Sequence, residues 1–87
     1  MAQRQAVVAS RVGLHARPAA TFVKAVTGSG VPVTVATGDS EPVDAGSILA
    51  VMTLGVRQGD EVTLEAEGDD AERVLDDLVR LLETEQA

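Results

Sequence analysis

His15, the only histidine among 87 residues, stands in the run Gly13-Leu14-His15-Ala16-Arg17-Pro18, where the pattern turns helical. An imidazole titrates near neutrality, so it can act as a neutral nucleophile. A helix N-terminus offers free backbone N–H groups and the positive end of the helix dipole, both favourable to a bound anion. Arg17 adds a permanent cation whose planar donor fork suits phosphate oxygens. Nucleophile, anion cradle and counter-charge fall within one turn, and the chemistry they support is reversible phosphorylation of His15. Taken by itself, a lone histidine is more often a surface or capping residue, so the rest of the chain has to decide.

The length fits one domain over residues 1–87, with only about three-fifths of the unfolded surface available for burial. Phe22 is the sole aromatic residue, so the core must be aliphatic. With no cysteine and one histidine, disulfides and a structural zinc site are not expected, and no cofactor is implied. The apolar stretches are too short to cross a bilayer, and Met1-Ala2-Gln3-Arg4-Gln5 lacks the apolar core of a signal peptide. A soluble, cytoplasmic protein is the expectation. Charge is distributed unevenly. Residues 1–38 hold Arg4, Arg11, Arg17 and Lys24 and no acid, whereas residues 39–87 hold all fourteen acids against Arg57, Arg73 and Arg80. An acidic chain with a small basic region around its histidine is a poor nucleic-acid binder. It suits a local anion or an acidic patch on a partner.

The elements that must position His15 follow from periodicity. Gln3 to Ala9 reads as a strand and Ser10 to Gly13 as a loop. Ala19, Phe22, Val23 and Val26 recur at helical spacing over Ala16 to Thr27, with Pro18 tolerated in the first turn and Gly28-Ser29-Gly30 as the stop. That glycine pair lacks the spacing of a phosphate loop. Val31 to Thr37 is a β-branched strand, Gly38-Asp39-Ser40 a turn, and Glu41 to Asp44 a short returning strand whose Pro42 argues for an edge. Ser47 reads as the N-cap of a short helix to about Leu54, ended by Gly55. After a turn at Arg57-Gln58-Gly59-Asp60, Glu61 to Glu67 alternates with Val62, Leu64 and Ala66 on one face. Ala71, Val74, Leu75, Leu78, Val79 and Leu82 form the stripe of a final helix, with Asp69 and Glu72 as a D-x-x-E capping box. The order β-α-β-β-α-β-α implies an α+β fold, an open-faced two-layer sandwich in which a four-stranded antiparallel sheet carries three helices on one face.

Two segments then resemble one family. Gly13-Leu14-His15-Ala16-Arg17-Pro18-Ala19-Ala20 and Ser47-Ile48-Leu49-Ala50-Val51-Met52-Thr53-Leu54-Gly55 are similar to the motifs of HPr, the histidine-containing phosphocarriers of the bacterial phosphoenolpyruvate-dependent sugar phosphotransferase system. The resemblance spans essentially the whole chain. It implies that His15 takes a phosphoryl group on Nδ1 from phosphorylated enzyme I and passes it to the IIA domains of sugar permeases. Such a protein is a stoichiometric carrier with no turnover of its own, a monomer that neither enters the membrane nor binds nucleic acid. It further implies Arg17 as the phosphate-stabilising cation, with the backbone N–H groups of Ala16 and Arg17 receiving phosphate oxygens. The helix dipole and Arg17 should both lower the pKa of His15, and a bound dianionic phosphate should raise it.

Partner binding is expected on the short helix, where Ile48, Leu49 and Met52 are too many apolar residues for one buried side, so that at least Leu49 is exposed. Lys24, two turns beyond Arg17, would add a rim charge, although it reads equally as a solvated lysine. Ser47 matches a serine that some relatives phosphorylate for regulation, but capping explains it already, and Gly46 replaces the basic residue often found before it. Val12 replaces a small polar residue that could hydrogen-bond near the histidine. The competing readings are a regulatory binding module using the Ile48–Leu49–Met52 face, and the nitrogen-regulatory branch of the same relay. A hydrolase fits least, because no second acid, base or metal site accompanies His15.

Overall fold

The computed structural model describes residues 2–11, 13–14, 16–38 and 40–84. His15, Val12 and Asp39, all singled out above, lie outside the described residues. The elements are β1 (Ala2–Val7), α1 (Ala16–Ser29), β2 (Val33–Thr37), β3 (Val43–Asp44), α2 (Ile48–Thr53), β4 (Glu61–Ala66) and α3 (Ala71–Glu83). The strands form one antiparallel sheet in the order β1-β4-β2-β3, so Pro42 does precede an edge strand. Ala2 and Val33 both face Ala66 in the register, and Val35 and Arg4 both face Leu64. That row, with Ala6 and Val62, points toward the helices, whereas Gln3, Gln5 and Thr34 lie exposed on the open face. Phe22, Leu14, Leu64 and Leu75 are the largest fully buried side chains, a core that is aliphatic around a single ring.

Several element ends differ from the sequence reading, each for a local reason. β1 stops at Val7 because its partner begins at Glu61. Beyond it the Val8 N–H donates to the Asp60 carbonyl (2.9 Å) and the Ala9 N–H to the Leu82 carbonyl (2.9 Å), which ties the chain to a loop and to α3. α1 runs through Gly28 and Ser29, two residues past the expected stop. The Ser29 hydroxyl donates to the Val26 carbonyl (2.6 Å) and accepts from the Val31 N–H (3.1 Å), and it is Gly30, at φ +72°, that ends the turn. β2 starts at Val33, after Pro32, which has no N–H to contribute. β3 is shortened to Val43–Asp44 after Pro42, and β4 ends with its partners at Ala66.

The D-x-x-E capping box does not form. Asp70, not Asp69, caps α3 and makes no side-chain cap bond. Its carboxylate pairs with Arg73 (3.5 Å), and Glu72 is drawn to Arg4 (3.3 Å). Ion pairing thus takes the carboxylate of the residue that does cap the helix and the Glu72 of the expected box. The stripe of α3 is buried at Ala71, Val74, Leu75, Leu78 and Leu82, with Val79 half-buried at its margin.

Candidate functional site

α1 begins at Ala16, the residue that follows His15 in the chain. Ala16 and Arg17 occupy its first turn, so their N–H groups have no intrahelical acceptor. No acid lies in that turn, and nothing from the helix itself competes for an incoming anion. Arg17 is exposed, while Pro18, Ala19 and Phe22 are buried and set the rotation of the helix. Lys24 is exposed on the same side as Arg17, seven residues and two turns along.

The approach to α1 is fixed by backbone contact. The Leu14 side chain is only 2 % exposed, and its N–H donates to the Val56 carbonyl (3.1 Å). Gly13 bends at φ +65° with its N–H on the Ser10 carbonyl (3.0 Å). A Cβ at Gly13 would run into the Val56 carbonyl oxygen and come within 2.8 Å of the Arg57 Cα, so no other residue fits there unstrained. Residues 13–14 therefore lie flat against the α2–β4 connection. Nothing in the sequence marks this approach beyond the glycine itself, because Gly13 reads equally as an ordinary loop residue.

α2 packs beside α1. The Ser47 hydroxyl accepts from the Ala50 N–H (3.3 Å), in the capping role expected, and Gly55 closes the far end at φ +66°. Val51 is buried under the helix. Leu49 is 75 % exposed and Ile48 39 %, whereas Met52 is half-buried against the core. The outward apolar surface is thus Ile48 and Leu49, with Met52 as its footing. α2 thus runs alongside α1, with its N-cap end beside Thr27 and the loop after it against Gly13 and Leu14, and its exposed apolar side chains share a face of the molecule with α1.

A family model described as the PTS HPr component phosphorylation site matches residues 2–84. The chain belongs to the HPr family. It is thereby a member of the phosphocarriers of the phosphotransferase system. The HPr of Streptomyces coelicolor is 48 % identical over 82 residues, covering 94 % of this chain and 88 % of that protein. The HPr of Haloferax volcanii is 43 % identical over 86 residues, covering 98 % and 97 %. Among solved structures, the HPr of Thermoanaerobacter tengcongensis superposes with a TM-score of 0.87 at 42 % identity, over 95 % of this chain and 92 % of that one. The HPr-like architecture extends to the antiparallel open sheet and its three helices. No described helix is long and apolar enough to cross a membrane, and among the described residues no acid, histidine or cysteine cluster has the makings of a metal site.

Proposed function

We propose that His15 is the phosphoryl carrier of this HPr-family protein, charged by phosphorylated enzyme I and discharged to the IIA domains of sugar permeases. The observation that carries this reading is the start of α1 at Ala16, with Arg17 exposed in an acid-free first turn. In the transfer, the Nδ1 lone pair of His15 attacks phosphorus. The donor's bond to phosphorus breaks, and its electron pair stays with the donor. The N–H groups of Ala16 and Arg17 and the Arg17 guanidinium take the phosphoryl oxygens, so the protein contributes position and charge rather than further covalent chemistry.

Ile48, Leu49 and Met52 form the docking surface in this reading, and Lys24 supplies a charge at its rim. Ser47 serves as a cap, and phosphorylation there would replace its bond to Ala50 with a dianion at the start of α2. The carrier works as a cytoplasmic monomer. A second reading, a regulatory module that binds through α2, draws on the 75 % exposure of Leu49.

Intact-mass analysis after incubation with phosphoenolpyruvate and catalytic enzyme I separates the two. One acid-labile phosphoryl group, absent from His15→Ala, is the carrier's result. No added mass with an active enzyme I leaves the binding module.

A further inference from the structure

Seven basic residues are present, and most have evident roles. Arg4 is held by Asp76 and Glu72, and Arg73 pairs with Asp70. Arg17 and Lys24 line α1. Arg57 differs from all of these. It is the only base between residues 39 and 72, it is exposed, and among the described residues its guanidinium has no ion-pair partner. The carboxylate of its own turn is occupied elsewhere, since Asp60 Oδ2 accepts from the Arg57 backbone N–H (2.9 Å).

The backbone of Arg57 is nevertheless fixed. The Asp60 N–H donates to the Arg57 carbonyl (3.0 Å), the Gly59 N–H to the Val8 carbonyl (2.8 Å), and Gln58 Nε2 to the Ala9 carbonyl (3.1 Å). The missing side chain of Gly13 lets the Arg57 Cα approach the chain two residues before position 15. An unengaged cation on a rigid base thus stands beside the segment that leads into α1.

We propose that Arg57 is a second cation of the phosphoryl site, adding its charge to that of Arg17 on the group carried by His15. The proposal rests on the carrier reading above. A phosphoryl dianion is only half neutralised by one arginine, and transfer of such a group depends on stabilising the charge on its oxygens. A second cation supplied by the same chain does this before any partner arrives. It acts through the last ionisation of the phosphoryl group, which a nearby positive charge pulls down.

The test is a titration of the isolated phosphorylated protein by its phosphorus resonance at low salt. The parent, Arg57→Ala, Arg57→Lys and Arg73→Ala are compared. Arg57→Ala keeps every hydrogen bond of the turn named above, because those made by residue 57 are all backbone. Arg73 is the control. It lines a cavity with Gly28 and Ser29, about 18 Å along α1 from Ala16. The expected result is a phosphoryl pKa raised by about 0.4 of a unit in Arg57→Ala, the scale on which one neighbouring charge acts through water. Arg57→Lys restores most of the shift, and Arg73→Ala matches the parent. An unmoved pKa in Arg57→Ala overturns the proposal, and so does an equal shift in Arg73→Ala. No partner is present in the sample, so a charge that serves only docking gives the unmoved result. A parent protein that takes no phosphoryl group at His15 overturns the carrier reading together with this one.

Discussion

The region formed by α1, α2 and the loop that ties Val56 to Leu14 is built differently from the layer formed by α3, β1 and β4. In the second region, burial does the holding. Leu75, Leu78 and Leu82 are buried in one cluster with Ala6, Val62 and Leu64, and exposed acids line the outer side of α3. In the first, the side chains that matter point outward, and the backbone does the holding through Leu14 on Val56 and Gly59 on Val8. Arg17, Lys24 and Leu49 are thereby free of packing duties, and a site can be presented rigidly without being buried. Stability and chemistry are largely assigned to different residues.

Substitutions can break that division or sharpen it. The largest loss of stability is expected from Leu75→Ala, about 2–5 kcal/mol by chemical denaturation, with the folded fraction still transferring phosphoryl groups at the parental rate. A slowed folded fraction would show that the α3 layer shapes the site directly. Gly13→Ala should cross the division, costing about 3 kcal/mol through a left-handed backbone and a blocked approach to Val56, and slowing transfer as well. Arg17→Ala should leave the unfolding midpoint alone and slow transfer about 10- to 100-fold, the worth of charge-assisted bonds to phosphate, in single-turnover assays with enzyme I. Leu49→Ala should also leave the midpoint unchanged and weaken partner binding about tenfold by titration calorimetry. A midpoint that falls with Leu49→Ala would show that α2 is part of the core rather than a surface laid on it.

What could be read from the sequence follows the same division. The burial layer was legible because its signal is periodic. Val62, Leu64 and Ala66 alternate, and the α3 stripe repeats at helical spacing. The Ser47 cap was legible too, since an N-cap is a purely local device. The failures came where a local device met a distant competitor. Glu72 had the spacing of a capping box, but Arg4, sixty-eight positions earlier, took it. Gly28 offered itself as a helix stop, but the Ser29 hydroxyl carried the helix on to Gly30. In the candidate site, His15, Arg17 and the α2 apolar pair were evident as residue types. The placing of Arg57 beside Gly13 was not, because nothing local links positions so far apart.

The pairing of Arg4 with Asp76 and Glu72 also bears on how the protein behaves in concentrated solution. β1 is an edge strand, and an open edge is a template for another chain's strand. Here the guanidinium lies across to α3 and donates to the Gln3 carbonyl (2.8 Å), while Glu83 accepts from the Val7 N–H (3.3 Å). Two of the edge's backbone groups are thus occupied by charged side chains from the same molecule. Taking that guard away, by Arg4→Ala together with Glu83→Ala, should open the β1 edge to a second copy and bring on self-association that rises with protein concentration.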